Sequence, residues 1–138
     1  MKVKRIAHVA IAQEGPKAAH TLLTELLGIP YMGNDRVDRE GVDTHFFEVG
    51  ESALEILEPL GADTPVGKYL AKRGPGLHHI ALEVEGLDAF VAHLKAAGIR
   101  LLSDEPTLGA HGKRIIFIHP KSAGGVLLEL CEEVEGRK

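Results

Sequence analysis

The sequence predicts an α+β fold: two tandem β-α-β-β-β modules whose strands form a curled mixed sheet around a concave cup. Three observations carry this reading. The strand-like stretch Lys4–Ile11 is echoed seventy residues on, so that His79-Ile80-Ala81-Leu82 aligns with His8-Val9-Ala10-Ile11. Each of these strands leads into a helical stretch closed by glycine, Gly28 lying 20 residues after His8 and Gly98 lying 19 after His79. Near the end of each copy, Leu54-Glu55-Ile56 is matched by Leu128-Glu129-Leu130. Self-similarity of this kind is the signature of a duplicated unit.

Taken in order, residues 4–12 alternate as a strand, with Ala7, Val9 and Ile11 on the expected core face and Ile6, His8 and Ala10 on the other. Pro16 is placed to start a helix. From Lys17 to Leu27 the stripe Ala18, Leu22, Leu23, Leu26 and Leu27 has helical spacing, and Gly28 suits a C-cap. Residues 29–32 read as a short strand and 33–40 as a charged loop. Val42–Val49 and Ala53–Pro59 read as a hairpin turning at Gly50-Glu51-Ser52. Thr64-Pro65 is an N-cap followed by a first-turn proline, opening a short helix with Lys68, Lys72 and Arg73.

The second copy repeats the order. His78, Ile80, Leu82 and Val84 form the expected apolar face of its first strand, and His79 lies on the opposite face with Leu77 and Ala81. A helix over 88–97 points Leu87, Phe90, Val91 and Leu94 inward, and Gly98 closes it. Residues 99–102 read as a short strand, 103–112 as a Pro/Gly-rich loop, 113–119 and 126–132 as strands, and 132–138 as a charged, frayed tail. The expected organisation is a single domain over 1–138, with module 1 at about 4–60, a linker at 61–75 and module 2 at about 76–132.

Composition narrows the function. At 44% apolar and 26% charged residues the chain is globular, and a net charge of −4 argues against nucleic-acid binding. No apolar run is long enough for a signal peptide or a membrane span. The single Cys131 cannot pair within the chain, which fits a reducing compartment and a cytoplasmic protein.

The chemistry lies in the matched pairs. His8 with His79, and Glu55 with Glu129, fall at equivalent points of the two copies, on strand faces that would line the cup. Two imidazoles and two carboxylates suit one divalent cation, such as zinc, cobalt, nickel, manganese or iron, and leave positions for water or substrate. His20, His45 and His93 have no partner in the repeat and read as structural. His78 shares its face with Ile80 and Leu82, which favours a core or supporting role. His111 lies in a loop able to close over a ligand. Lys113, Arg114 and Lys121 could meet a phosphate-bearing ligand. No P-loop, dinucleotide fingerprint or nucleophile elbow is present.

These residues resemble the vicinal oxygen chelate superfamily and, within it, the methylmalonyl-CoA epimerases. The resemblance is densest in Leu54–Leu60, in Gly76-Leu77-His78-His79-Ile80-Ala81, and from Asp104 through His119-Pro120-Lys121-Ser122 to Leu130. It implies metal ligation by His8, Glu55, His79 and Glu129, with one divalent ion per subunit (cobalt, zinc, manganese or nickel), and a homodimer acting on an acyl-CoA. It also implies metal-assisted proton abstraction and return at C2 of (2R)- and (2S)-methylmalonyl-CoA, with Glu129 as ligand and base. Some epimerases carry a second glutamate where this chain has Thr44; Glu48, further along the same strand face, and a water held by Thr44 are the substitutes. Lys68, Lys72, Lys113, Arg114 and Lys121, with His111, are the candidates for coenzyme A contacts. The His-Glu-His-Glu set also resembles glyoxalase I, a lactoylglutathione lyase. A metal-free binding module of the same fold and a non-haem iron dioxygenase are the remaining alternatives.

Overall fold

The computed structural model describes residues 1–134. The chain divides into two compact units: His8–His78, and Met1–Ala7 together with the chain from His79 onward. The part of the expected charged tail beyond residue 134 lies outside the described residues.

In the His8–His78 unit the strands are β1 (Lys2–Ala12, from His8 on), β2 (Tyr31–Val37), β3 (Val42–Val49) and β4 (Ser52–Pro59), in the order β2-β3-β4-β1. β2, β3 and β4 are antiparallel neighbours, and β1 joins β4 in parallel. Helix α1 (Lys17–Ala19, continued by the π-helical stretch His20–Leu26) follows β1, and α2 (Pro65–Arg73) follows β4. The other unit holds β5 (Gly76–Glu85, from His79 on), α3 (Leu87–Ala96), β6 (Thr107–Leu108), β7 (Arg114–Ile118) and β8 (Leu128–Glu132). Its order is β6-β7-β8-β5, with β8 parallel to β5 and antiparallel to β7. The two units therefore carry the same β-α-β-β-β topology and the same mixture of strand directions.

Caps and turns form where the sequence places them. Thr64 caps α2, its Oγ1 accepting from the Gly67 N–H at 3.1 Å, with Pro65 in the first turn. Gly41 takes φ 67° at the end of a 3₁₀ turn, and a Cβ there would collide with the Thr64 side chain, so glycine is required twice over.

Four expectations need correction. Helix α1 has one α-turn at Lys17–Ala19 and then continues as a π-helix over His20–Leu26. Bonding to the fifth residue changes the angular step, so the stripe read at 3.6 spacing does not hold. Ala19 is buried and Leu23 packs beside Phe47 and Ile56, but Leu22, Leu26 and Leu27 are exposed, Leu26 at 72%. The expected charged loop at 33–40 is mostly β2, an edge strand whose charged side chains cost nothing on its open side. Of the expected strand at 99–102, only Leu101 makes a bridge, to Ile118; the strand equivalent to β2 is instead the two-residue β6.

The fourth correction concerns faces. In β1 the buried side chains beyond Ala7 are His8, Ala10 and Ala12, and in β5 they include His79, Ala81 and Glu83. The faces expected to be core are covered too, Ile11 packing beside Ala19, Phe47 and Ile56 and Leu82 joining the buried Val84, Leu87 and Val91, so neither side of these strands is left open. Hydrophobicity along one strand does not decide which face is covered, because the neighbours supply the bulk. Ala10 and Ala12 lie under Val42, Leu57, Val66 and Leu70, and Ala81 packs with Ala7, Ile115 and Cys131.

Glu83 illustrates how a charge is kept on such a face. It is buried, yet Arg5 donates to its Oε1 from Nε at 3.2 Å and from Nη2 at 2.8 Å, and Lys4 Nζ lies 3.2 Å from Oε2. Burial pushes its pKa up, but the bonds from Arg5 and then Lys4 outweigh burial and hold it below the ordinary carboxylate value. A depressed folded-state pKa contributes stability above the unfolded-state pKa, and that stability is lost as pH falls through the folded value. Arg5→Ala should therefore cost about 2 kcal/mol at neutral pH. Urea titrations repeated at falling pH should show the mutant and the parent converging in acid.

Candidate active site

Each unit contains one His–Glu pair built the same way. In the first, His8 Nδ1 lies 2.9 Å from Glu55 Oε2; in the second, His79 Nε2 lies 3.1 Å from Glu129 Oε1. All four side chains are buried. The cause is the parallel ladder. β1 and β4 pair with Ala10 opposite Glu55, and β5 and β8 pair with Ala81 opposite Glu129, which is the same register. Each histidine stands two residues before its alanine, on the same strand face. Both alanines are fully buried, at 0% exposure, so the methyl leaves room for the neighbouring carboxylate to turn toward the imidazole.

On its other side each glutamate faces a phenylalanine across an antiparallel pair, Phe46 for Glu55 and Phe117 for Glu129. The Phe117 ring meets His79 edge-to-face at 5.2 Å. An aromatic wall and an alanine floor thus enclose each pair. Buried carboxylates beside imidazoles, with little water, are groups that either bind a cation or move protons.

Residues 7–117 match the family model of the glyoxalase/bleomycin resistance protein/dioxygenase superfamily. The mitochondrial methylmalonyl-CoA epimerase of Mus musculus is 41% identical over 94% of this chain and 73% of its own length. An ethylmalonyl-CoA/methylmalonyl-CoA epimerase of Cereibacter sphaeroides is 39% identical over 93% of this chain and 97% of its own. Among solved structures, a methylmalonyl-CoA epimerase in complex with methylmalonyl-CoA and NH4+ superposes with TM-score 0.91 and 35% identity, covering 99% of both chains. The chain belongs to the methylmalonyl-CoA epimerase family of this superfamily.

For an epimerase the remaining site residues fall as follows. β3 pairs Thr44 with Leu57, Phe46 with Glu55 and Glu48 with Ala53, so Thr44 and Glu48 share the Glu55 face. Thr44 is buried, whereas Glu48 is exposed at the far end of the strand. Arg114 is committed to a paired contact with Asp88, at 2.7 and 3.2 Å, and lies 3.6 Å from Glu132. That contact raises its own pKa and lowers that of Asp88. Lys113 Nζ lies 3.6 Å from Glu133, and Lys121 is exposed on the 3₁₀ turn Pro120–Ser122. His111 takes φ 59°, the one non-glycine residue at positive φ among the described residues. His119 caps the Pro120 turn, its Nδ1 accepting from the Lys121 N–H at 3.0 Å. His78 meets the Tyr69 ring edge-on at 4.9 Å.

Sequence reasoning passed over His45. Its Nε2 lies 2.8 Å from Glu58 Oε1 and 3.7 Å from Asp43 Oδ2, and its Nδ1 lies 3.2 Å from the Tyr31 hydroxyl. The missed signal was the hairpin: its short turn sets a register that puts Asp43 directly opposite Glu58.

The alanine floor is open to test. Ala10→Val or Ala81→Val enlarges a fully buried side chain, and each should cost about 1–3 kcal/mol. Chemical denaturation would measure that loss. The neighbouring exposed Glu48→Gln should change stability by less than about 0.5 kcal/mol.

Proposed function

We propose that this chain epimerises (2R)- and (2S)-methylmalonyl-CoA, and that the His8–Glu55 and His79–Glu129 pairs together hold one divalent ion per subunit within a single domain. The observation that carries the reading is the pair of equivalent His–Glu contacts in the two repeated units of a chain from the epimerase family. The donors present fit such an ion: two imidazole nitrogens and two carboxylate oxygens, all buried, with each carboxylate already turned toward an imidazole. That set suits cobalt, zinc, manganese or nickel. When bound, the ion supplies positive charge to stabilise the negative charge that develops on the thioester carbonyl oxygen as the C2 proton leaves.

The protein's own part is proton transfer and enclosure. Glu129 removes the proton from one face of C2. Glu48, or a water held by the Thr44 hydroxyl, returns a proton to the opposite face. Phe46 and Phe117 keep solvent from the carbanionic carbon. Lys68 and Lys72 on α2, with Lys113, Lys121 and His111, remain for the phosphates of coenzyme A. Arg114 serves them less well, because its guanidinium is already engaged by Asp88. We place the protein in the cytoplasm as a homodimer. Cys131, buried and in no disulfide among the described residues, supports a reducing compartment, and among the described residues no helix is long and apolar enough to cross a membrane. The lactoylglutathione lyase alternative is not favoured, since relatives at about 40% identity over most of the chain include several epimerases.

The deciding experiment incubates metal-loaded protein with (2R)-methylmalonyl-CoA in deuterated water. Deuteration at C2 together with formation of the 2S epimer is expected. Absence of exchange with metal bound would overturn the reading. Glu129→Gln should lower turnover about a thousandfold, and stripping with a chelator should abolish activity until a divalent ion is restored.

A further inference from the structure

Asp43, His45 and Glu58 form a second cluster, on the sheet face of their unit opposite to Glu55. β3 and β4 place Asp43 directly across from Glu58, with His45 one step along the same face. Like charges directly opposite on neighbouring strands destabilise a sheet. The repeat offers an internal comparison. The equivalent cross-strand position of the other unit pairs Arg114 with Glu132, opposite charges 3.6 Å apart. By the same register His45 corresponds to Ile116 and Gln13 to Val84, both of which are core residues there. The first unit therefore replaces an apolar core and an ion pair by an imidazole, an amide and two carboxylates.

Supporting contacts hold these groups in position. Asn34 donates to Asp43 Oδ1 at 2.8 Å, which leaves Oδ2 facing His45 Nε2. The Tyr31 hydroxyl holds His45 Nδ1, and as donor or acceptor it serves either tautomer. The three ligand atoms lie within 4.8 Å of one another. The Nε2 distances of 2.8 and 3.7 Å bracket the separation of about 3.4 Å between ligand atoms on a tetrahedral ion with bonds near 2.1 Å. An independent observation points the same way. Gln13 Oε1 is buried without a hydrogen-bond partner. β1 continues past Ala12, which pairs with Leu57, so Gln13 shares the Glu58 face. Backbone of the same turn approaches Glu58: a Cβ on Gly15 would lie 3.8 Å from its Oε2.

We propose that Asp43, His45 and Glu58, with the Gln13 amide oxygen, form a divalent-cation site of zinc type, separate from the His–Glu pairs and structural in effect. Two negative charges and a neutral imidazole suit such an ion, and the second-sphere bonds from Asn34 and Tyr31 resemble those that orient metal ligands generally.

The test titrates chelator-stripped full-length protein with zinc and counts saturable equivalents by equilibrium dialysis. Two equivalents are expected for the parent and one for the isosteric variant Asp43→Asn/Glu58→Gln. A single equivalent that this variant loses would sustain the present site while removing the one proposed for the His–Glu pairs. Uptake unchanged by the variant would overturn the proposal. Should the variant unfold, the His45 ring resonances of the parent decide: a saturable shift on adding zinc supports the site, and no shift removes it.

Discussion

The register of two parallel strand pairs is the constraint on which the rest of the structure depends. With Ala10 opposite Glu55 and Ala81 opposite Glu129, a histidine two residues earlier in each strand is brought within about 3 Å of a buried carboxylate, twice. A slip of one residue would send each histidine to the other face of its strand. The alanine between histidine and glutamate cannot grow, because it has no exposed surface and the packing of neighbours fills the space above it. Phe46 and Phe117 then close the antiparallel side of each glutamate. Sheet order, core composition and site chemistry are thus three consequences of one pairing.

Much of this was legible in the sequence because a duplicated chain states its important positions twice. His8 with His79 and Glu55 with Glu129 stood out only by comparison of the copies, and in each unit the histidine then meets its own glutamate. The strand faces were harder. Alternation in β1 and β5 picked the side with Val9, Ile11, Ile80 and Leu82 as core, and that side does pack into cores, but the side with alanine is buried as well. The bulk that buries an alanine belongs to other strands and helices, and a single strand's pattern does not contain it. Helix α1 misled for a related reason: Leu22, Leu26 and Leu27 keep helical spacing in sequence, but the π-helical path gives them other directions.

His45 shows the reverse case. A residue without a counterpart in the repeat looked structural, since the copies were being searched for likeness. The difference between copies is also informative. Arg114 and Glu132 form an ordinary ion pair at the position where Asp43 and Glu58 repel, and the hairpin turn at Gly50-Glu51 made that pairing readable in advance. Gln13 carries the same lesson, for its counterpart Val84 needs no partner and its own amide oxygen lacks one.

The two faces of the repeat have therefore diverged unequally, and the chemistry of each explains why. On the His–Glu face both copies keep histidine, alanine, phenylalanine and glutamate. On the opposite face the units have no shared task. One buries Val84, Ile116 and Leu130 beneath α3, where Leu87 and Val91 supply apolar surface. The other is covered near Phe47 and Ile56 by the short α-turn and π-helix, of which only Ala19 and Leu23 join that core. With less apolar cover, the end of that face is completed by polar groups instead. Tyr31, Asn34, Asp43, His45 and Glu58 form a hydrogen-bonded network there because a partly wet surface costs them little and a dry one would cost each unpaired group about 1–3 kcal/mol.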